Sequence, residues 1–207
     1  MPVTAGKRES EISQREQYAK GGAGRIYWDL RDKEIFKYVI GEKILDAGCG
    51  EGITLEKLVK QFPKAEIEGI DIDPENVVIC RDHNLPVREA SVLDLPYEDA
   101  TFDTCLFIEV IEHLHQPEKA LSDLARVTKP GGRVIVVYPV DWAMRLARII
   151  CLKFKEAAFD PGHVRQWRAR EVKHIMQRYG LTPIVELSLP LWPFMLHGLV
   201  VGKQEIR

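Results

Sequence analysis

The stretch ILDAGCGEG, residues 44–52, opens with apolar Ile44 and Leu45, passes through Asp46 and Ala47, and ends in three glycines that alternate with Cys49 and Glu51. Glycines at this density are expected where the backbone turns sharply or approaches another group closely. We therefore predict that a buried strand ends here and that the loop after it lies against a ligand.

Outward from this loop, strand-like and helix-like patterns alternate along the chain. Predicted strands cover 43–46, 66–70, 87–90, 102–108 and 133–138, and predicted helices cover 28–40, 53–62, 74–83, 117–127 and 171–179. Two last apolar stretches, 184–189 and 196–201, are predicted to form a hairpin. This alternation predicts an α/β fold, a Rossmann-like doubly wound, mostly parallel seven-stranded sheet with helices on both faces.

The size and charge of the chain indicate one ordinary globular domain. It has 207 residues, of which 45% are hydrophobic, and a formal net charge of −2. That length suits a single hydrophobic core, and the charge offers no field that would attract nucleic acid. We expect a flexible N-terminal arm over 1–24 and one domain over 25–207, with a helical lid inserted at about 141–160.

The cysteines and the N-terminus indicate a cytoplasmic protein. Cys49, Cys80, Cys105 and Cys151 are far apart and show no paired spacing, which is typical of reduced core cysteines. The N-terminal MPVTAGKRES lacks the apolar stretch of a secretory signal, and no run of 18 apolar residues occurs.

The acids in the glycine loop favour a cationic guest. A dinucleotide needs G-x-G-x-x-G, whose third glycine would stand where this sequence has Ile53. Asp46 and Glu51 would also repel a pyrophosphate, because unit charges 4 Å apart interact by about 4 kcal/mol at an effective dielectric constant of 20. S-adenosylmethionine carries an ammonium and a sulfonium group and no phosphate, so it meets these requirements.

Two segments carry a family resemblance. ILDAGCGEG and GIDIDPENV, residues 69–77, resemble the first two motifs of the class I S-adenosylmethionine-dependent methyltransferases, in particular the type 11 group that includes quinone and small-molecule methyltransferases. The resemblance covers about Ile44 to Pro139 and continues more loosely to the C-terminus. It implies S-adenosylmethionine as cofactor, held by Asp46, Gly48, Cys49, Gly50, Glu51, Gly52, Asp71, Ile72, Ser91, Val92 and Glu109.

Two of these positions have alternatives. Asp71 lies 23 residues beyond Gly48, where such a fold presents an acid to ribose hydroxyls, although it could instead cap the next helix together with Asp73. Relatives usually carry an aspartate at the position of Ser91, where it accepts from the adenine amine. Either the Ser91 hydroxyl substitutes, with the Val92 backbone at the ring edge, or Asp94 reaches round; we favour Ser91.

The segment IEVIEHLH, residues 108–115, follows the fourth predicted strand and supplies the candidate catalytic residues Glu109 and His113. It resembles the E-x-x-E-H segment of methyltransferases that modify quinone precursors or small-RNA ends, some of which hold a divalent metal with a distant histidine. Glu112 and His163 would complete such a set here. The alternative is a helix-start network without metal; we favour it and predict no metal site.

Apolar segments near the C-terminus suggest a lipophilic acceptor. DWAMRLARIICLKFKEAAF, residues 141–159, combines apolar side chains with cations and no acid between Asp141 and Glu156. It reads as a lid helix packed on the core or as a helix that contacts a membrane surface, and the lid is favoured.

Near the N-terminus, aromatic residues and an arginine either close the site or form only a helix staple: Tyr18, Arg25, Tyr27 and Trp28.

The sequence therefore predicts an enzyme that transfers a methyl group from S-adenosylmethionine to a small, lipophilic acceptor. O-, N- and C-methylation stay open. The alternatives are a non-catalytic sensor or partner subunit that binds the same cofactor, an RNA methyltransferase, which the net charge does not support, and an NAD(P)-dependent oxidoreductase, which Ile53 and the loop acids disfavour.

Overall fold

The computed structural model describes residues 13–139, 167–191 and 194–204. Within these ranges the chain alternates helices and strands after two N-terminal helices. The elements in chain order are α1 (Gln14–Lys20), α2 (Gly22–Phe36), β1 (Lys43–Ala47), α3 (Ile53–Gln61), β2 (Glu66–Asp71), α4 (Pro74–Asp82), β3 (Val87–Glu89), β4 (Phe102–Ile108), a 3₁₀ helix (Ile111–His113), α5 (Pro117–Val127), β5 (Thr128–Pro139), α6 (Ala169–Arg178), β6 (Leu181–Leu191) and β7 (Phe194–Lys203).

The strands form one seven-stranded sheet in the order β3-β2-β1-β4-β5-β7-β6. Strands β1 to β5 pair in parallel, whereas β7 runs antiparallel to both β5 and β6. This confirms the predicted fold class and the C-terminal hairpin. The strand order reverses between β1 and β4, and in open α/β sheets that reversal opens a crevice at the carboxyl ends of the strands.

The sheet has a hydrophobic core on each face. Along β1, Leu45 and Ala47 join one buried cluster, and Ile44, which precedes Leu45, joins the other. The same alternation follows β4 and β5, because successive side chains of a strand point to opposite faces. Helices α5 and α6 contribute buried side chains to the first cluster, and α2, α3 and α4 contribute to the second. Both faces are therefore covered, which holds the crevice on a rigid frame.

Strand β5 is longer than the sequence predicts. The segment PGG was expected to be a turn before a strand at 133–138, but β5 begins at Thr128 and includes it. Opposite this segment the pairing register shifts between Phe102 and Thr104, and Gly131 has φ 77°. The extra residues bulge out of the ladder, so the strand continues where local turn chemistry predicted an interruption.

The N-terminal segment is helical where an arm was expected. Helix α1 lies inside the predicted arm 1–24, and α2 begins at Gly22 and ends at Phe36, whereas a helix over 28–40 was predicted. Ser13 caps α1 by accepting from the backbone N–H of Glu16. The predicted lid at 141–160 lies outside the described residues. None of the helices in the described part of the chain is long and apolar enough to cross a membrane.

Candidate functional site

A cavity of about 580 Å³ lies at the carboxyl ends of β1, β2 and β4, beside the reversal in strand order. Helices α1 and α2 form one wall, and the 3₁₀ helix after β4 forms another. Ten of the residues predicted from the sequence line this cavity: Asp46, Gly48, Cys49, Gly50, Asp71, Ile72, Ser91, Val92, Glu109 and His113.

The glycine loop is held in a conformation that only glycine accepts easily. Gly48 has φ 83°, and a Cβ at this position would lie 2.5 Å from Cγ2 of Val110. The N–H groups of Gly48 and Cys49 both donate to the carbonyl of Ile70, at 2.8 and 2.9 Å. Gly52 precedes α3, and a Cβ there would meet Sγ of Cys80 and Cδ1 of Leu85 at 2.7 Å. Gly52 is therefore needed for packing behind the loop and does not line the cavity.

Asp71 orients both the glycine loop and the turn after β2. Its Oδ2 accepts from the N–H of Gly50 at 2.8 Å, and its Oδ1 accepts from Asp73 N–H at 2.9 Å and from Asn76 Nδ2 at 3.1 Å. Asp73 itself caps α4 through the N–H of Glu75. Asp71 therefore supports the turn before α4 together with Asp73, and it also lines the cavity, where its contact with ribose hydroxyls stays a prediction.

Asp46 is a buried acid on the cavity wall. The residue is 2% exposed, and its Oδ2 has no hydrogen-bond partner. The pKa of the Asp46 carboxyl is raised to about 7, mainly by burial; the charges of Asp32 and Asp71 contribute to this rise, and that of Arg31 opposes it. A buried oxygen without a hydrogen-bond partner costs free energy. A hydrogen-bond donor or a cation that binds at Oδ2 of Asp46 would remove this cost.

A buried group of charges connects α2 to the cavity. Arg31, which is 4% exposed, pairs with Asp32 at 2.9 Å and donates from Nη2 to Thr54 Oγ1 at 2.6 Å. Asp32 also binds Lys57 at 2.8 Å. Burial alone lowers the pKa of Arg31, but the carboxylates of Asp32 and Glu109 outweigh it and hold the pKa above its ordinary value. We did not predict this group from the sequence, where the only sign of it was charge inside an apolar helix pattern.

Glu109 follows β4 and is held by two side chains from α2. The phenol of Tyr27 donates to Glu109 Oε1, and Nη1 of Arg31 lies 3.3 Å from the same oxygen. Glu109 has φ 55°, a conformation that is costly for a residue with a side chain and recurs at functional sites. Burial and the charge of Glu109 raise the pKa of Tyr27 well above its ordinary value. The phenol therefore stays protonated and donates a hydrogen bond to Glu109.

Ser91 and Val92 line the cavity, whereas Asp94 is exposed and lies outside its lining. The Ser91 Oγ accepts from the N–H of Leu93 at 3.1 Å, which leaves its hydroxyl hydrogen for another acceptor.

Glu112 is buried and His113 is exposed, and both reach the cavity from the 3₁₀ helix. The described residues contain no cluster of three His, Cys, Asp or Glu side chains suited to a metal, and His163 lies outside the described part.

Glu51 has a different partner from the one the sequence suggested. Its carboxylate accepts from Ser13 Oγ at 2.7 Å, from Gln14 N–H at 3.0 Å and from Arg15 N–H at 2.7 Å. It is absent from the cavity lining. Glu51 therefore holds the start of α1 against the glycine loop, and Gln14 of that helix reaches the cavity.

Comparison with known proteins shows which family this chain resembles. A methyltransferase domain model matches residues 45–136. A Mycolicibacterium smegmatis protein named as a probable S-adenosylmethionine-dependent methyltransferase is 29% identical over 198 residues, which cover 93% of this chain and 71% of that protein. Over most of its length the chain is similar to an S-adenosylmethionine-dependent methyltransferase, and residues 45–136 match the methyltransferase domain.

Two other methyltransferases show how far the similarity extends. The chloroplastic tocopherol O-methyltransferase of Arabidopsis thaliana is 30% identical over 141 residues, 64% of this chain and 38% of that protein. The structure of an S-adenosylmethionine-dependent methyltransferase from Thermotoga maritima superposes with a TM-score of 0.73 at 21% identity, covering 92% of this chain and 95% of that chain. Several other curated relatives are matched over less than two fifths of their own length.

The cofactor of class I methyltransferases is S-adenosylmethionine, and the cavity suits its chemistry. The unpartnered Oδ2 of Asp46 offers an acceptor to an ammonium group. Gly50 lines the cavity, and a Cβ placed on it would meet only Oε1 of Gln14, at 3.8 Å, so the backbone is open to close approach there. Among the described residues that line the cavity there is no lysine, and Arg31, the one arginine among them, pairs with carboxylates, which disfavours a pyrophosphate.

Proposed function

We propose that this chain transfers a methyl group from S-adenosylmethionine to a small, lipophilic acceptor that binds on the Glu109 side of the cavity. The observation that carries this proposal is the position of Glu109. Its carboxylate lies in the same cavity as the glycine loop and Asp71, and Tyr27 and Arg31 hold it there. A proton-accepting side chain held beside a cofactor pocket assists methyl transfer to a hydroxyl or an amine.

In this proposal the chain divides the cavity between cofactor and acceptor. Asp46 accepts from the amino-acid end of the cofactor, Asp71 accepts from the ribose hydroxyls, and the Ser91 hydroxyl with the Val92 backbone contacts the adenine. Gly48, Cys49, Gly50 and Ile72 form the surface on which these groups rest. Tyr27, Glu109 and His113, which also line the cavity, face the acceptor.

The bound cofactor supplies an already activated methyl group, so the tasks left to the protein are alignment, exclusion of water and proton removal. Alignment of two reactants can contribute on the order of 7–11 kcal/mol. Glu109 accepts the proton that an acceptor hydroxyl or amine releases, while Arg31 and Tyr27 keep the carboxylate in one orientation. His113, at the exposed rim, passes that proton to solvent.

The lining of the cavity favours a small acceptor over a nucleic acid. A volume of about 580 Å³ is within the range of small-molecule pockets, about 300–1,000 Å³. Apolar side chains of the cavity lining suit a lipophilic molecule: Trp28, Ile108, Val110, Leu114 and Pro139. Glu109 and Glu112 would repel a phosphate backbone, so an RNA substrate is disfavoured. Residues 141–159 are predicted to contact a membrane. In this proposal such a contact would serve only to deliver a lipophilic acceptor.

Methyl-labelled S-adenosylmethionine identifies the acceptor. The protein is incubated with the label and host-cell extract, and the extract is then separated into lipid, small-molecule, RNA and protein fractions. We expect label in the lipid or small-molecule fraction and at least a hundredfold less with Glu109→Gln. Label in RNA would overturn the proposed acceptor class. Tight cofactor binding with no label in any fraction would indicate a non-catalytic sensor or partner subunit instead.

A further inference from the structure

Two cysteines that are far apart in the sequence meet behind the glycine loop. Sγ of Cys80 lies 3.4 Å from the carbonyl oxygen of Gly50, and Sγ of Cys49 lies 3.8 Å from the same oxygen. The two thiols thus lie against one backbone oxygen, and each shifts the pKa of the other. Both are free thiols, so the fold brings two reduced sulfurs together at the cofactor site.

The positions of the two sulfurs join the loop to α4. Cys49 lines the cavity and is half-buried, and its Sγ would lie 3.0 Å from a Cβ placed on Gly69. Cys80 is on α4 and fully buried, and its Sγ would lie 2.7 Å from a Cβ placed on Gly52. A bond between these sulfurs would tie the loop that contacts the cofactor to a helix of the scaffold.

The environment makes the two thiols chemically unequal. A hydrogen bond from Cys49 lowers the pKa of the Cys80 thiol; burial opposes that shift, and the charge of Arg15 adds to it. The same hydrogen bond, together with burial, raises the pKa of Cys49. Cys80 is therefore the first of the pair to become a thiolate, which is the form that reacts with peroxides.

We propose that Cys49 and Cys80 are a peroxide-sensitive pair whose disulfide lowers the affinity of the glycine loop for S-adenosylmethionine. The Cys80 thiolate attacks one oxygen of hydrogen peroxide, the O–O bond breaks, and the released hydroxide takes a proton to become water. Cys49 then attacks the Cys80 sulfenic acid, and the departing hydroxyl leaves as a second water with the Cys49 proton. The two sulfurs lose two electrons, and the peroxide gains them.

The geometry explains why this bond would disturb binding. A disulfide holds two sulfurs about 2.05 Å apart, closer than any hydrogen-bonded pair of thiols. The loop has little freedom to follow, because the N–H groups of Gly48 and Cys49 are tied to Ile70 and Gly48 fits against Val110. Drawing Cys49 toward α4 therefore shifts the N–H groups and the wall that face the cofactor. By linkage, bound cofactor disfavours the disulfide at equilibrium by the same free energy by which the disulfide weakens cofactor binding.

The test uses the full chain before and after hydrogen peroxide, with calorimetric titration of S-adenosylmethionine. We expect at least a tenfold weaker affinity after peroxide, full recovery with dithiothreitol, and a mass-spectrometric cross-link between tryptic peptides 44–57 and 65–81. Preloading with cofactor should slow the cross-link. Oxidation of both thiols without this cross-link, or the cross-link with unchanged affinity, would overturn the proposal.

Cys80→Ala is the matched variant, because Cys80 does not line the cavity. It should bind cofactor like the reduced wild type and show no response to peroxide; Cys80→Ser serves the same purpose if alanine impairs folding. Cys151→Ser should respond like the wild type. A Cys80 variant that loses affinity in peroxide as the wild type does would contradict the proposal. The inference rests on the cofactor site of the proposed function. Cofactor affinity and the peptide cross-link are both measured without the methyl acceptor, so they stay interpretable if no acceptor is found.

Discussion

The backbone N–H of Arg15 lies 2.7 Å from Oε2 of Glu51, and Nε of Arg15 lies 2.6 Å from the backbone carbonyl of Glu51. One acid in the glycine loop thus caps the first turn of α1, and one arginine of that turn binds back to the loop. The N-terminal helices form part of the cavity wall through Gln14, Tyr27, Trp28 and Arg31. Closure of the cavity and the conformation of the glycine loop are therefore physically connected.

Glu51→Gln should release α1 from the loop. Glutamine has one acceptor oxygen and no charge, so at least one charged hydrogen bond, worth about 1.5–3 kcal/mol, is lost. We expect at least tenfold faster limited trypsin cleavage after Arg15 or Lys20. Glu16→Gln is the control, because Glu16 is exposed and its side chain makes no contact with the loop. Equal cleavage rates for wild type and Glu51→Gln would show that Glu51 does not hold the helix.

Arg31→Met should destabilise the protein strongly. Removal of one partner leaves Asp32 and Glu109 without their buried cation, and such a loss typically costs about 3–5 kcal/mol. The free energy of unfolding from urea titration measures this. Arg25→Met is the matched control, since Arg25 pairs with Asp29 at 3.7 Å on an exposed surface and should cost less than about 1 kcal/mol. A loss below about 1 kcal/mol for Arg31→Met would contradict the assigned role of this ion pair.

Asp46 should make stability depend on pH in a particular direction. Its pKa is raised from 3.8 to about 7 in the folded protein, so the folded state binds more protons than the unfolded state between these values. The free energy of unfolding contributed by Asp46 therefore falls as pH rises from about 4 to about 7. In urea titrations across this window, Asp46→Asn should lose less stability with rising pH than the wild type. Parallel curves would refute the raised pKa.

Gly48→Ala should disrupt the loop, because the new Cβ would collide with Val110 at 2.5 Å and the backbone has φ 83°. We expect a lower melting temperature and at least tenfold weaker binding of S-adenosylmethionine. Val110→Ala removes the collision but not the backbone strain, so the double variant should recover part of the loss. A double variant no better than Gly48→Ala would indicate that strain alone decides this position.

Elements set by local patterns were predictable from the sequence. Phe102–Ile108 and Pro117–Val127 have the bounds predicted from a largely apolar run and from an amphipathic pattern. The predicted turn at PGG was wrong, because Thr128 and Arg133 pair with β4 on either side of this segment and make it a bulge within β5. Contacts between distant segments were out of reach: Tyr27 and Glu109 are 82 residues apart, and Ser13 and Glu51 are 38 apart. Nothing local in the sequence indicates that Glu51 faces a helix rather than the cavity.

Calorimetric titration of the wild type, Asp71→Asn and Asp73→Asn with S-adenosylmethionine and with NADH tests the central claim most directly. Both acids support the turn after β2, but only Asp71 lines the cavity. We predict that wild type and Asp73→Asn bind S-adenosylmethionine with similar affinity, that Asp71→Asn binds it about 10- to 100-fold more weakly, and that NADH gives no heat of binding. Uptake of NADH together with no affinity for S-adenosylmethionine would contradict the account.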